Sequence, residues 1–320
     1  MIIDTANRWF VIVNPVAGKG LGLTDWPVIS KLLRDNSIAF DFAFTEHRFH
    51  AIELSVEAVN NGYRRLIVVG GDGTLNEVVN GLFIQKAVPQ NEVLLSVIAV
   101  GTGNDWVRMF GIPRTYTDSI KSIVAGHSFL QDVGKVSYYK ASYHQSRYMA
   151  NVAGVGFDAS VNRRFNRLKE EGKRGKFLYI LSTLKALFGY RSTHVKISVD
   201  GKVVVDQAVF SATIGIGKYN GGGMLQTPDA VPDDGLFDLT IIRKISKFGV
   251  IRNFGSLYNG RIYRIKQISL DRGRKIHIES TPEIATEVDG EALGYSPFDF
   301  EIIPKAIRVV VSEKFLLSED

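Results

Sequence analysis

A glycine-rich turn between two apolar segments holds the residues of this sequence that are best suited to chemistry. Leu66–Val69 is a run of branched apolar side chains, which predicts a buried parallel strand. Gly70 and Gly71 end that strand, and we predict a helix that begins with a capping box formed by Thr74 and Glu77. The amide N–H groups at such a helix start attract phosphate. Asp72 repels phosphate unless a divalent cation lies between them, so the turn indicates magnesium–nucleotide chemistry.

A second turn of similar composition follows another predicted strand. Leu94–Val100 has the buried-strand pattern, and Gly101-Thr-Gly-Asn-Asp105 leads into a predicted helix at Trp106–Phe110. The first turn alone fits a tight strand-to-helix connection with an exposed aspartate. Two such turns after neighbouring parallel strands would lie at the carboxyl edge of one sheet, where open α/β sheets bind ligands. The pair therefore favours a ligand site.

Three motifs in this order resemble the diacylglycerol kinase catalytic domain, a family that includes the sphingosine kinases and the soluble bacterial lipid kinases. They are Asn14-Pro-Val-Ala-Gly18, Gly70-Gly-Asp-Gly-Thr74 and Gly101-Thr-Gly-Asn-Asp105. The glycine–aspartate motif alone is shared with NAD kinases and loosely with phosphofructokinases, whereas the three together are much more specific. The resemblance implies an ATP-dependent, Mg²⁺-dependent lipid kinase, which transfers the γ-phosphate of ATP to the hydroxyl of a lipid such as diacylglycerol.

The resemblance also implies which residues bind the nucleotide. Asp72 would act catalytically through magnesium, with Asp105 and Asp132 as supporting acids in one polar network. The implied nucleotide-binding residues are Asn14, Gly18, Thr45, Gly70, Gly71, Asp72, Gly73, Thr74, Leu75, Asn76 and Thr102.

Two loops in the second half of the chain carry further carboxylates. Asp289-Gly290-Glu291 fits a hairpin turn, and the resemblance identifies Glu291 as the catalytic carboxylate that accepts the hydroxyl proton, which requires it to reach across an interdomain cleft. Residues 233–235 fit a plain turn. The resemblance instead implies a structural magnesium bound by Asp234 and the main-chain oxygens of Val231 and Leu236, an all-oxygen set that suits a hard cation.

The order of predicted elements changes near residue 133. Strands and helices alternate before it, and short alternating strands such as Val195–Val199 and Phe237–Ile242 follow it. We predict an α/β protein with a Rossmann-like parallel-sheet domain of the NAD kinase/diacylglycerol kinase type, followed by an antiparallel β-sandwich domain. The first domain would comprise residues 1–133 and the second residues 134–305, and the resemblance implies that the tail at about 306–320 returns to the first domain. A helix is predicted at Ser246–Tyr258.

Composition limits the remaining function classes. The 320 residues include no cysteine, which excludes disulfides, thiolate metal sites and cysteine nucleophiles. We find neither a signal peptide nor an apolar run long enough for a membrane span, so we expect a cytoplasmic protein that is peripheral to the membrane during catalysis. The net charge of +6 permits anionic partners, and the absence of nucleic-acid motifs favours lipid over nucleic acid. The basic stretch at residues 163–176 fits either solvated surface or an edge that rests on anionic lipid.

Several alternatives stay open at this point. An NAD kinase-like phosphotransferase shares the first glycine turn, and a nucleotide-binding sensor without turnover would need only the nucleotide site. His47 and His50 have the spacing of a metal pair but also fit polar residues near a helix start. The sequence does not separate diacylglycerol from phosphatidylglycerol, a sphingoid base or another long-chain alcohol as acceptor. An exposed edge strand would allow a homodimer.

Overall fold

The computed structural model describes residues 5–101, 103–161 and 186–317, and the chain divides into two compact units. Unit 1 comprises Met1–Val133, Gly221–Gly223 and Ile303–Asp320, and unit 2 comprises Gly134–Asn220 and Met224–Ile302. Thr102 and the basic stretch at residues 163–176 lie outside the described residues.

Unit 1 is built on a parallel sheet. Its strands are β1 (Trp9–Val13), β2 (Phe40–Phe44), β3 (Arg65–Gly70) and β4 (Leu94–Ala99), joined by the end of a later strand, β16 (Glu291–Val310). The order across the sheet is β16-β4-β3-β1-β2. Residues such as Val11, Ile67 and Val68 are fully buried, as expected of parallel strands covered on both faces.

Helices follow the strands of unit 1. They are α1 (Ala17–Thr24), α2 (Trp26–Asp35), α3 (His50–Asn60), α4 (Asp72–Ile84), α5 (Asp105–Met109), α6 (Tyr116–Ala125) and a later helix, α8 (Glu313–Leu316). Local chemistry explains several boundaries. Pro27 occupies the first turn of α2, Thr115 caps α6 by accepting a bond from the amide of Asp118, and Gly126 ends α6 in the left-handed region.

Unit 2 is built from antiparallel strands. They are β5 (Ser128–Lys140), β6 (Tyr143–Met149), β7 (Val152–Gly156), β8 (Thr193–Val199), β9 (Lys202–Gly215), β10 (Tyr219–Asn220), β11 (Met224–Leu225), β12 (Phe237–Arg243), β13 (Ile268–Gly273), β14 (Lys275–Thr281), β15 (Ala285–Val288) and the first part of β16. Strand β5 begins in unit 1 and continues into unit 2. Two of these strands change partners along their length. β9 pairs first with β8 and then with β7, and β16 pairs first with β15 and then with β14. Such strands form the corners where two packed sheets meet.

The core of unit 2 lies between these strands and contains Phe237, Phe298 and Phe300. The α/β fold class with a second, antiparallel domain is confirmed. The glycines of the Gly154–Ala159 segment imitate a dinucleotide-binding motif, but the antiparallel pairing of β7 shows that the segment does not belong to a βαβ unit.

Strand β5 is 13 residues long and runs unbroken through Gly134. A Cβ on Gly134 would lie 2.6 Å from Cγ of Met149 and 2.8 Å from Cε1 of Phe237. The glycine is therefore required by close side-chain packing across the strand and does not mark a turn.

A helix, α7 (Lys247–Asn253), and a 3-10 turn at Phe254–Leu257 follow β12, in agreement with the predicted helix at Ser246–Tyr258. Ser246 caps α7 by accepting a hydrogen bond from the amide of Gly249. Among the described residues, no helix is both long and apolar enough to cross a lipid bilayer.

Candidate active site

The loops that follow the parallel strands of unit 1 meet at one edge of its sheet. The amide of Thr45, just after β2, donates to the carbonyl of Val13, and the amide of Asn14, just after β1, donates to the carbonyl of Val69. The amide of Val100 donates in turn to the carbonyl of Gly70. These bonds extend the sheet into the loops, so the shared carboxyl edge predicted from the two glycine turns is confirmed.

Asn14 joins the first loop to the glycine turn. Its Nδ2 donates to Oγ1 of Thr74 over 2.8 Å, and its Oδ1 accepts a bond from the amide of Val16. Gly70 makes room for this contact, because a Cβ there would lie 2.7 Å from Oγ1 of Thr74. The loop after β1 and the start of α4 are therefore held together by side chains that the sequence assigned to nucleotide binding.

The predicted capping box is wrong. Helix α4 begins at Asp72 with extended Gly71 as its N-cap, so Thr74 already lies inside the helix. The carboxylate of Glu77 accepts hydrogen bonds from the amides of Phe49 (3.1 Å) and Ala51 (3.2 Å). Glu77 thus satisfies open amides at the start of α3, a neighbouring helix.

At the start of α4, the amides that precede intrahelical bonding belong to the glycine turn. The amide of Leu75 donates to the carbonyl of Gly71, which is the first bond of the helix, so the amides of Gly73 and Thr74 precede intrahelical bonding. Leu75 is buried, and Asn76 is fully buried with its side-chain oxygen accepting a bond from Asn80. Gly70–Thr74 therefore line the turn, while the side chains of Leu75 and Asn76 pack inside the unit.

Asp72 links the two glycine turns directly. Its carboxylate accepts hydrogen bonds from the amides of Asp105 (3.1 Å) and Trp106 (3.2 Å), at the start of α5. Asn104 precedes this helix in the left-handed conformation, and its Nδ2 donates to the carbonyl of Gly101. The amides of Asp105 and Trp106 at the start of α5 are thus occupied by a carboxylate, which favours the start of α4 over the start of α5 as a phosphate site.

Asp105 is nearly buried beside the loop Gly221–Gly223. Its Oδ2 accepts a 2.7 Å bond from the amide of Gly222. Its Oδ1 makes no hydrogen bond within the described part of the chain and lies 3.8 Å from Nε of Arg108. Burial raises the pKa of Asp105, and the amide of Gly222 and the charge of Arg108 oppose that shift only in part. A Cβ on Gly223 would lie 3.0 Å from Cζ of Arg108. Glycine at this position therefore lets the loop backbone lie close to the Arg108 side chain.

Asp132 has a different partner. It is fully buried, and its Oδ1 accepts a 2.7 Å hydrogen bond from the amide of Lys305 in β16. The preceding residue, Gln131, accepts a hydrogen bond from Nε1 of Trp106 in α5. The described bonds therefore join Asp72 to the start of α5 directly, whereas they anchor Asp132 to the backbone of another strand.

In unit 2, Asp289 and Gly290 form the hairpin turn between β15 and β16. The carboxylate of Asp289 accepts bonds from the consecutive amides of Ala150 (2.8 Å), Asn151 (3.0 Å) and Val152 (3.0 Å). The buried carboxylate of Glu287 accepts a bond from the amide of Gly290. Glu291, which begins β16, is only partly buried. Within the turn, Asp289 holds the backbone and Glu291 is the more accessible carboxylate.

The predicted magnesium loop lies beside β12 and β13. Asp234 accepts a bond from the amide of Leu236 with Oδ1 and forms an ion pair with Arg272 through Oδ2. Arg272 also pairs with Asp238, whose buried Oδ1 makes no hydrogen bond among the described residues. Burial raises the pKa of Asp238. The carboxylate of Asp234 is an oxygen donor of the kind that a hard cation prefers, but its ion pair with Arg272 already places a positive charge beside it.

His47, His50 and Glu53 have potential ligand atoms within 4.8 Å of one another. The Nδ1 of His50 accepts a hydrogen bond from the amide of Glu46, which puts the proton of a neutral ring on Nε2. The Nδ1 of His47 faces the carbonyl of Arg48. With Nδ1 accepting a hydrogen bond and Nε2 protonated, the neutral ring of His50 offers no open donor atom, so the structure favours polar residues near a helix start over a metal pair.

Two glycine–aspartate turns at the edge of a parallel sheet, followed by an antiparallel unit with an Asp-Gly-Glu turn, place this chain among kinases that share the NAD kinase type of fold. The family model of the diacylglycerol kinase catalytic domain matches residues 8–136, and that of the YegS C-terminal NAD kinase beta sandwich-like domain matches residues 151–311. The chain belongs to the diacylglycerol kinase-like lipid kinase family.

Individual relatives agree with this placement. The diacylglycerol kinase of Staphylococcus aureus strain Newman is 30% identical over 95% of this chain and 92% of its own length. That of Staphylococcus carnosus is 29% identical, over 95% and 94%. A crystal structure of a diacylglycerol kinase from Bacillus anthracis matches with a TM-score of 0.75 and 26% identity, covering 96% of this chain and 98% of that one. Yeast NADH kinase complexed with NADH shares the fold, with a TM-score of 0.51 and 12% identity over 96% of this chain and 84% of that one.

Proposed function

We propose that this protein transfers the γ-phosphate of ATP to a hydroxyl group of a lipid, with diacylglycerol as the first acceptor to test. The observation that carries the proposal is the bonding of Asp72. Asp72 lies within the turn whose amides suit phosphate, and its carboxylate is fixed by the amides of Asp105 and Trp106. A rigid carboxylate beside a phosphate-binding turn suits the positioning and charge neutralisation that phosphoryl transfer requires.

In the proposed mechanism, the residues of unit 1 bind the nucleotide. The amides of the Gly70–Thr74 turn and the loop from Asn14 to Gly18 hold the phosphates, and Thr45 and Thr102 add contacts. Asp105 and Asp132 support the arrangement through the backbone segments to which they are bonded. Asp72 would hold a divalent metal together with the nucleotide, and that metal would supply further neutralisation of phosphate charge.

Transfer then needs an acceptor oxygen with a place for its proton. The lipid hydroxyl oxygen forms a bond to the γ-phosphorus as the bond from that phosphorus to the β–γ bridging oxygen breaks, and ADP leaves. We assign acceptance of the hydroxyl proton to the carboxylate of Glu291. Asp289 holds the Glu291 turn in place through its backbone bonds. Asp234 with the main-chain oxygens of Val231 and Leu236 would bind a structural cation in the same unit.

The test is a transfer assay with labelled ATP and Mg²⁺, in mixed micelles that contain one candidate lipid at a time. The panel comprises diacylglycerol, phosphatidylglycerol and a sphingoid base, with NAD in a parallel reaction. We expect a phosphorylated lipid from the wild type and almost none from Glu291→Gln, with ATP affinity equal in the two proteins.

Other results would redirect the assignment. Phosphorylated NAD without lipid product would identify an NAD kinase-like phosphotransferase. Tight ATP binding without any product would identify a nucleotide-binding sensor. Full activity of Glu291→Gln would retain the kinase but remove Glu291 from the role of proton acceptor.

A further inference from the structure

One segment of unit 2, residues 243–266, combines a strong positive charge with exposed apolar side chains. It contains seven basic residues and no acidic one: Arg243, Lys244, Lys247, Arg252, Arg261, Arg264 and Lys266. All of them except Arg243, which is partly buried, are exposed. Among the described residues, none of the seven forms an ion pair with a carboxylate. Within the described residues, the segment is therefore a concentrated positive surface that no carboxylate neutralises through an ion pair, although Nζ of Lys247 donates to the carbonyl of Phe188.

Large apolar side chains lie on the same segment. Phe248 is 72% exposed, Ile251 47%, Phe254 44% and Tyr258 50%. They are spaced three, three and four residues apart along α7 and the 3-10 turn that follows it, so they form a stripe along one side of the helical region. The rings of Phe254 and Tyr258 are in contact, with their centroids 5.8 Å apart.

The opposite side of the helix already packs against the unit. Gly249 is buried, and Val250 packs against a cluster that contains Phe157 and Phe210. A surface helix that covers a core with one side normally presents polar residues on the other. The outer stripe of Phe248, Ile251, Phe254 and Tyr258 is thus apolar surface that folding of unit 2 does not require.

From this combination we infer that residues 243–266 dock the protein on an anionic lipid bilayer. Aromatic and branched side chains insert at the boundary between headgroups and acyl chains, while the surrounding Lys and Arg side chains bind lipid phosphates. The inference rests in part on the proposed function, because an acceptor that resides in a bilayer requires the enzyme to reach that surface.

The charges favour this occupant over two others. A second copy of the chain docked symmetrically would place like charges against each other, which opposes association. A nucleic acid would neutralise the cations but would leave Phe248 and Ile251 in water. An anionic bilayer satisfies both the cations and the apolar stripe.

Flotation of the full chain with vesicles tests the docking surface directly. The vesicles contain phosphatidylcholine alone, or equal parts of phosphatidylcholine and phosphatidylglycerol. We expect the wild type to bind the anionic vesicles and the triple variant Lys244→Gln/Lys247→Gln/Arg252→Gln to bind about 100-fold more weakly, because each basic residue near such a surface contributes about a factor of five. The matched control, Lys86→Gln/Lys140→Gln/Lys202→Gln, removes the same charge from exposed sites elsewhere and should bind much more tightly than the patch variant.

A second pair of variants tests the apolar stripe. Phe248→Ser/Ile251→Ser should weaken binding to anionic vesicles about tenfold. Tyr143→Ser/Val203→Ser removes side chains of similar exposure, 74% and 47%, and should bind like the wild type.

Equal binding by a patch variant and its control would overturn the inference, as would a higher affinity of the wild type for single-stranded DNA than for the vesicles. Loss of dimerisation in the patch variants without loss of vesicle binding would instead assign the surface to a second copy.

The kinase assay separates this inference from the proposed function. With a short-chain diacylglycerol dispersed in solution, the patch variants should match the wild type, whereas on vesicles their activity should fall with their binding. If no acceptor yields product while vesicle binding stays intact, the proposed function fails and the docking surface stands. If the patch variants bind vesicles normally and the wild type is active, the kinase stands and the docking surface fails.

Discussion

The Asp72 turn of unit 1 and the Asp289 turn of unit 2 both place an aspartate beside glycine, yet the two carboxylates have different surroundings. Asp289 is 8% exposed and binds three consecutive amides, those of residues 150–152. Asp72 is partly exposed and binds two amides at the start of α5. A carboxylate enclosed by backbone donors fixes the position of the chain segment that supplies those donors. One that is fixed but partly open to solvent can also be reached by a ligand.

The largest effect on stability should come from Asp289. In Asp289→Ala, three buried amides lose their acceptor, and each unsatisfied amide costs about 1–3 kcal/mol. We expect the free energy of unfolding, measured in urea, to fall by several kcal/mol. Glu283→Ala, at an exposed position in the same unit, is the control and should change little. Equal urea midpoints for the two variants would show that Asp289 is not an anchor.

Removal of the Asp72 carboxylate should separate function from stability. In Asp72→Ala the start of α5 loses an acceptor, which costs about 0.5–2 kcal/mol, less than the change at Asp289. Phosphoryl transfer should nevertheless fall by about 100-fold or more, since one well-placed charge-stabilising group commonly contributes that much. Urea unfolding and the transfer assay, run on the same preparation, check both parts. A variant that keeps wild-type turnover would remove Asp72 from the site.

The loop after β1 offers a smaller and more local test. Gly18 has φ of +59°, and a Cβ there would lie 3.1 Å from the amide nitrogen of Gly101, whereas Gly20 has φ of +96° with no atom within 4 Å. Both alanine variants carry a backbone penalty of about 1–2 kcal/mol, but only Gly18→Ala also pushes the two loops apart. We expect Gly18→Ala to bind ATP about tenfold more weakly than Gly20→Ala in a titration calorimeter. Equal affinities would mean that contact between the loops does not shape the nucleotide site.

The smallest predicted effect is a change in stability with pH that arises from the titration of Asp105. Because burial raises the pKa of Asp105 in the folded state, the folded chain holds this proton at pH values where the unfolded chain has released it. The contribution of Asp105 to stability should therefore fall as pH rises from the unfolded pKa of about 4 through the raised folded value.

The variant Asp105→Asn keeps an acceptor for the amide of Gly222 and removes the titration. Its melting temperature, measured by calorimetry, should exceed that of the wild type at neutral pH by more than at pH 4. The exposed control Glu92→Gln should show no such trend. A difference between Asp105→Asn and the wild type that does not change with pH would contradict the buried-acid explanation.

The strands of unit 1 could be predicted because each is a short apolar run that ends in a recognisable turn. The run at Leu66–Val69 and the glycines that follow gave β3 nearly to its ends, and the shared edge with β4 followed from chain order alone. Local caps such as Ser246 and Thr115 also lie within a few residues of the amides they bind. Information of this kind is contained in a short stretch of chain.

The bonding of the acidic residues could not be predicted because their partners are distant in sequence. Glu77 binds the start of α3, and Asp132 binds the amide of Lys305. The packing of Gly134 against Phe237 depends on pairing between strands in the same way. Residue type showed that these positions were polar or small, whereas only the folded arrangement shows which groups they satisfy.

The parallel sheet of unit 1 is completed by a segment that the ribosome makes after all of unit 2. The end of β16 pairs with β4, with Arg308 opposite Leu94, and the residues between them in sequence include the whole of unit 2. During synthesis, β4 therefore emerges long before its partner and presents an unpaired edge in the meantime. Final folding of unit 1 must wait until β16 has been released, so translation speed and chaperone protection of that edge should influence the yield of native protein.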